Sequence, residues 1–316
     1  LLGLMQAIGE PGSSLYLYRI TNNGSAVGFF ANRNHAAVLL GCAFPMLAVF
    51  ASSADGARGQ HRFRHLLAAA TAIVLIPLIL VTGSRSGMIS ALLGIFAAFL
   101  LYRQPRGRRE DRSSHARGLT VARISVVLGA LGLAAVTYFF SRAEAVERLF
   151  AENLGAVGRT DFLIASVDLF WKYFPWGSGS GSFVEAFLII EPTSSLDSTY
   201  LNRAHNDWAE TAVTFGVLGL IILGASVFAF VRRTYRLWRA PNVNSREIIL
   251  GRLASATIAI IAIASFSDYP LRTPFMLGLF AVFILWFVGS GRELGRSLHA
   301  VNTTDNNRAH AFRPSV

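Results

Sequence analysis

Three arginines and one histidine carry chemistry that their apolar surroundings do not call for. Arg33 stands in "ANRNH", Arg85 in "TGSRSG", Arg159 in "GRTDF" and His205 in "RAHND". A guanidinium keeps its charge throughout the physiological range, and its planar fork grips a phosphate through two hydrogen bonds. An imidazole exchanges its proton near neutrality, so it can take the proton of an attacking hydroxyl. Arginines converging beside a histidine would hold a phosphate or diphosphate while a group leaves it for an alcohol. Asn34, Asn206, Asp207, Glu210 and Asp268 accompany these positions and are candidate supporting residues.

Plainer readings compete with these. Asn34 has the place of an N-cap for the helix that follows, and Arg33 and Arg85 can snorkel to lipid headgroups. Asp207 and Glu210 have the spacing of a capping box with Asp in the Ser/Thr place. His61 and His65 are four apart, but on a basic stretch without acidic or cysteine partners, so no cluster has metal-ligand spacing. Neither a metal nor another cofactor is expected. "GSGSG" at 177–181 is a turn, because no strand precedes it and the dinucleotide spacing is missing.

The elements that position these groups are membrane helices. The chain has 316 residues, of which 53% are hydrophobic and 15% charged, and a mean hydropathy of +0.47. Apolar runs at about 34–52, 66–82, 87–102, 121–140, 207–231, 248–266 and 273–290 make seven candidate spans. The expected fold is an all-α polytopic transmembrane helix bundle. The start "LLGLMQAIGE" is already apolar and carries no signal-peptide pattern, so earlier spans are expected upstream. Cys42 is the single cysteine, which excludes an internal disulfide.

Charge placement orients the bundle. The net charge of +11 is not spread evenly: 20 of the 29 basic residues fall at 53–65, 103–123, 232–247, 252 and 291–316. Short loops rich in Lys and Arg stay on the cytoplasmic side. The basic runs "RQPRGRRED" and "RRTYRLWR" are therefore topology signals and headgroup contacts, and no nucleic-acid partner is expected. The organisation that follows is membrane helices over 1–140, an outward loop over 141–206, membrane helices over 207–290 and a cytoplasmic, disordered tail over 291–316. The outward loop holds an amphipathic helix at 159–173 with Phe162, Leu163, Ser166, Leu169, Phe170 and Tyr173 on one face. Its aromatic residues suit a membrane interface, or packing against the bundle. Arg33, Arg85, Arg159, His205 and Asp268 all fall on the outward side.

The fifth of these spans opens with polar groups. Asn206, Asp207, Glu210, Thr211 and Thr214 cover an arc of about 140° at 100° per residue. Such an arc must face protein or a wet cavity, since a charge near mid-bilayer costs at least ~2.5–3.5 kcal/mol.

In order, "GFFANRNHAAVLL", "LVTGSRSGMISALLG", "GRTDFLIASVDLFWKYFPWGSGSGSF", "AHNDWAETAVTFGVLGL" and "SFSDYPLRTPFMLGLFAVFILW" resemble the O-antigen ligase/polymerase family, over most of residues 1–290. The family consists of bacterial inner-membrane glycosyltransferases with a large periplasmic loop. The resemblance implies a donor glycan on undecaprenyl diphosphate, moved at the periplasmic face onto lipid A-core by ligases or onto another lipid-linked repeat by polymerases. It implies that Arg85 and Arg159 hold the donor and that His205 is catalytic, with Arg33 a weaker match. A polymerase or protein O-oligosaccharyltransferase is the alternative within the family. A lipid-binding or transport protein without catalysis is the alternative outside it, and would favour broken helices or charges near mid-membrane.

Overall fold

In the computed structural model the described residues are 2–10, 12–18, 22, 24–53, 58–103, 156–191, 203–240, 245–291 and 295. Six of the seven expected spans appear as helices, four of them within two residues of their expected ends, while the second begins eight residues earlier and the fifth ends eight residues later than expected; the run 121–140 lies outside the described residues. They are α2 (Arg33–Ala51), α3 (Arg58–Val81), α4 (Arg85–Leu101), α7 (Asp207–Arg239), α8 (Arg246–Ala264) and α9 (Pro274–Gly289). A short α1 (Leu2–Ile8) precedes them, and α5 (Ala156–Lys172) and α6 (Phe183–Leu188) lie between α4 and α7. Four, α2, α3, α7 and α8, are long and apolar enough to cross a membrane, whereas α4 and α9 are shorter apolar helices. The chain is an all-α polytopic bundle.

Lipid offers apolar side chains no incentive to leave it, so helices in a bilayer associate through close backbone contact at small residues. α2 and α4 do this. A Cβ on Gly94 would collide with the Gly41 carbonyl oxygen, and one on Gly87 with the Ala37 methyl. Ala37 meeting Gly87 while Gly41 meets Ser90 and Gly94 makes the two helices parallel. Arg33 and Arg85, which open them, therefore lie at the same end of the bundle.

α7 and α8 run antiparallel. At one end the Asp207 amide donates to the Ser265 carbonyl at 3.0 Å and the Trp208 indole donates to the Ala262 carbonyl at 3.0 Å. At the other end Arg252 donates to the carbonyls of Leu237 (3.0 Å) and Ala240 (2.9 Å). Arg233 does the same for α9, donating to Phe287 and Val288. Both arginines satisfy the orphan carbonyls that end a helix. Between these ends Leu237, Ile248, Leu253, Phe283 and Phe287 pack as one apolar core, and Phe30, Val38, Cys42, Ile260, Ile261 and Met276 as another.

α7 is not continuous. Gly216 has φ 57° and ψ −145°, which interrupts the helix nine residues after Asp207. The turn after α5 fills the gap. The Pro175 carbonyl accepts from Val217 N at 2.9 Å, and the amides of Ser178 and Gly179 donate to the carbonyls of Val213 (2.9 Å) and Thr214 (3.0 Å). A Cβ on Gly216 would collide with the Pro175 carbonyl oxygen. A left-handed non-glycine residue already costs ~1–3 kcal/mol, so Gly216→Ala is expected to melt well below the wild type in detergent, while Gly224→Ala, with open space around its Cβ, leaves the melting temperature unchanged.

The expected amphipathic helix is α5. Ser166 and Leu169 are buried, and Leu169 packs with Phe183, Phe187, Ala204 and Val213. Leu163, expected on the same face, is instead about half exposed.

Candidate active site

Asp268, in the connection between α8 and α9, is 1% exposed and stands at the centre of a polar cluster. The side-chain amides of Asn32 and Asn34 donate to it at 3.1 and 2.6 Å, and the Tyr269 backbone N–H donates at 2.9 Å. His35 Nε2 lies 3.4 Å and His205 Nδ1 3.8 Å from the same carboxylate oxygen, Oδ1. The Tyr269 ring meets both imidazoles edge-on, with centroids 5.1 Å from His35 and 5.0 Å from His205. A buried carboxylate is tolerated only when it is hydrogen-bonded and paired. Burial alone would raise the Asp268 carboxyl, but His205, His35 and Asn34 beside it hold it well below the usual carboxylate range. Burial and the Asp268 carboxylate push the Tyr269 phenol up.

His35 is fully enclosed, whereas the His205 side chain is 31% exposed. His205 therefore faces both the carboxylate and the outside. With Nδ1 turned toward Asp268, the tautomer protonated at Nδ1 is favoured and Nε2 is left to accept a proton. The residue sits at φ 50°, a left-handed conformation uncommon for side chains other than Asn, Asp and His.

A second network brackets the His205 segment from below. Glu210, 1% exposed, accepts from Arg203 at 3.0 Å and from the Ala204 amide at 3.3 Å. Asp207 accepts from the Ser265 hydroxyl at 2.9 Å and the Leu271 amide at 3.4 Å. Arg272 forks between the two, 3.4 Å from each carboxylate. Thr211 and Thr214 bond back to the carbonyls of Asp207 and Glu210. The polar arc of α7 thus faces protein, as expected, and its charges are paired.

Residues 70–224 match the family model described as O-antigen ligase. Over this segment the chain belongs to the O-antigen ligase family. It is a membrane glycosyltransferase of the O-antigen ligase and polymerase type, acting on lipid-linked and acceptor glycans as a class. No curated protein and no solved structure matches the chain.

The segment matched to the O-antigen ligase family takes in Arg85, Arg159, His205, Asn206, Asp207 and Glu210, but not Arg33, Asn34 or Asp268. The structure brings His205, Asn34 and Asp268 together across these bounds, with Asp207 and Glu210 in the adjoining network. Arg85 is exposed at the first position of α4, and Arg33 is half-buried at the first position of α2. Arg159 is in α5, with its side chain outside the described residues. Two capping expectations are corrected. Asn32, not Asn34, caps α2 by accepting from Asn34 N, which frees the Asn34 amide for Asp268. Asn206, not Asp207, caps α7 by accepting from Trp208 N and Ala209 N. Asn206 is therefore a helix cap rather than part of the carboxylate cluster.

Side chains of the two networks that were not singled out from sequence for this site are His35, Tyr269, Arg203, Ser265 and Arg272. A usable signal existed for His35. Asn32 and His35 are three apart at the head of α2, so both turn to the same side. Among the described residues no group of His, Cys, Asp and Glu is arranged to hold a metal ion.

Proposed function

We propose that the protein transfers a glycan from undecaprenyl diphosphate to an acceptor hydroxyl at the periplasmic face of the bacterial inner membrane, with lipid A-core as acceptor. The observation that carries this reading is the partly exposed imidazole of His205 backed by the buried Asp268 carboxylate, at the bundle end where Arg33 and Arg85 open their helices. In this reading 1–140 and 207–290 are membrane regions, 141–206 is the periplasmic loop and 291–316 a cytoplasmic tail.

The donor diphosphate lies against Arg85 and Arg159, with Arg33 nearby. His205 Nε2 takes the proton of the acceptor hydroxyl as its oxygen attacks the anomeric carbon. The bond from that carbon to the diphosphate oxygen breaks, its electron pair leaves with undecaprenyl diphosphate, and attack from the opposite side inverts the anomeric centre. Asp268 keeps the imidazole turned and stabilises its cationic form, a role that makes it a positioning residue. Asn34 and Asn32 fix Asp268 in turn. The cationic charge at the leaving diphosphate comes from arginine.

Reconstitution in proteoliposomes with an undecaprenyl-diphosphate glycan tests this. The expected product is glycosylated lipid A-core, formed in the presence of exhaustive EDTA. Elongated lipid-linked glycan would instead assign polymerase activity, glycosylated protein would assign the oligosaccharyltransferase alternative, and no transfer to any of the three would overturn the reading. Activity lost in EDTA and restored only by a divalent ion would overturn the arginine role. Arg85→Lys keeps the charge but not the fork. It is expected to weaken donor affinity about tenfold or more, in line with the ~1.5–3 kcal/mol of a hydrogen bond to a charged group. Unchanged donor affinity in that variant would leave Arg85 as a headgroup anchor.

A transport reading calls for a broken helix, and α7 has one. The break is occupied by backbone from 175–179, and the buried charges at the head of α7 are paired there with one another. Both features support a fixed site rather than a translocation path.

A further inference from the structure

The turn after α5 is bonded into α7 at a depth that can be counted. The basic end of α7 begins at Arg232. A hydrocarbon layer ~30 Å thick takes ~20 helical residues, so it reaches up to about residue 212 and puts Gly216 ~6 Å inside. The backbone groups at the break pair with Pro175, Ser178 and Gly179, so this turn lies at the same depth. Non-helical backbone at such a depth occurs only where its polar groups find partners. Here they find them on one side of the turn, in α7.

The other side is apolar and uncovered by any described residue. Trp176 is 86% exposed and Phe174 about half exposed. They continue a stripe of exposed Leu163, Ile164, Val167 and Trp171 along α5, bordered by Asp168 and Lys172, which are exposed and four residues apart. On α7 the neighbouring surface is exposed Phe215, Leu218 and Ile222, the face of a membrane helix. The apolar stripe therefore reaches α7 at the break, where the membrane helix is itself apolar and exposed, and its charged border suits a helix lying at the headgroup level.

We propose that α5 and the turn Phe174–Gly179 are a re-entrant membrane element. Trp176 sits against acyl chains of the leaflet nearest the head of α7, and the Asp168 and Lys172 edge lies among the headgroups. The occupant of this face is the bilayer. This does not depend on the catalytic reading. It changes what the outward loop is: α5, which bears Arg159, is held at the bilayer edge by lipid as well as by protein.

The test uses the full chain in bilayers whose lipid carries bromine near the head of the acyl chain or near its end. Wild-type tryptophan emission should lose a component quenched best by the shallow bromine, and Trp176→Phe should lack that component. In a Cys42→Ala background, Trp176→Cys labelled with an environment-sensitive fluorophore gives a second measurement. Its emission should be blue-shifted, quenched by nitroxide on the lipid and insensitive to aqueous iodide. Iodide quenching would place the turn in water, and indifference to both quenchers would mean that another protein segment covers it. Either result overturns the proposal.

Discussion

His205→Ala is expected to lower turnover ~10²–10⁴-fold, the usual worth of a general base, while the protein inserts and binds the lipid-linked donor as before. The expectation rests on placement. His205 precedes α7, so its loss leaves the helix and its Asn206 cap intact. It is the exposed member of the two histidines on Asp268, and the one an acceptor can reach. A base works only as the neutral imidazole, so the wild-type rate should climb as pH is raised from acid toward neutral and beyond. The rival role, an imidazolium that contacts phosphate, gives a rate that falls over the same range. His205→Gln separates the two further, because an amide can donate toward Asp268 but cannot take a proton. Near-normal turnover in that variant would remove the base assignment and leave the arginine site standing.

Asp268→Asn should act on both turnover and stability. The carboxylate turns the His205 ring and offsets the positive charge that develops on it, so a neutral amide there should reduce kcat by ~10²-fold or more, at the lower end of what positioned acid–base groups supply. KM for the donor should change little. The stability effect depends on pH. Because the folded carboxyl is held below its ordinary value, its contribution is fully present above the unfolded-state value of ~3.9 and is lost as pH falls from there toward the folded value. The wild type should therefore melt higher than Asp268→Asn at neutral pH, and the two should converge in acid. Melting curves that stay parallel down to the acid limit would mean that the carboxylate contributes no folding energy. An unchanged kcat would mean that it does not serve His205. An Asn34→Ala variant, which removes the shortest donor to Asp268, should show the same pattern more weakly.

How much of this was legible in the sequence differs from element to element, for physical reasons. The six described spans were readable because an apolar run long enough to cross a bilayer is a strong local signal. That the polar arc of α7 must face protein or a wet cavity, and not lipid, followed from the cost of charge in lipid. The partners in that arc did not follow. Asn34 and Asp268 are 234 residues apart, and no periodicity links them. Choosing Asn34 over Asn32 as the cap of α2 failed because capping depends on where the chain turns, and two asparagines stood within reach of one helix start. His35 was absorbed into an apolar run, and Arg272 was counted for its charge alone. The break at Gly216 was hidden for a different reason. "TFGVLGL" reads as unbroken span because glycine is common in membrane helices, and the backbone that completes it comes from 175–179.

The seam between α2 and α4 has a mechanical consequence. Where two helices meet through side chains, rotamer changes can absorb an error in their spacing. At Gly41 and Gly94 the two backbones themselves touch, and a peptide unit has no rotamer to adjust. The offset between Arg85 on one helix and the Asn32–His35 stretch on the other is therefore as stiff as the main chain. Any bulk added at Gly94 acts as a wedge: it levers the helices apart at a point about 14 Å along the axis from Arg85, counting nine residues. The damage would surface at the far end, as a change in where Arg85 stands relative to the head of α2.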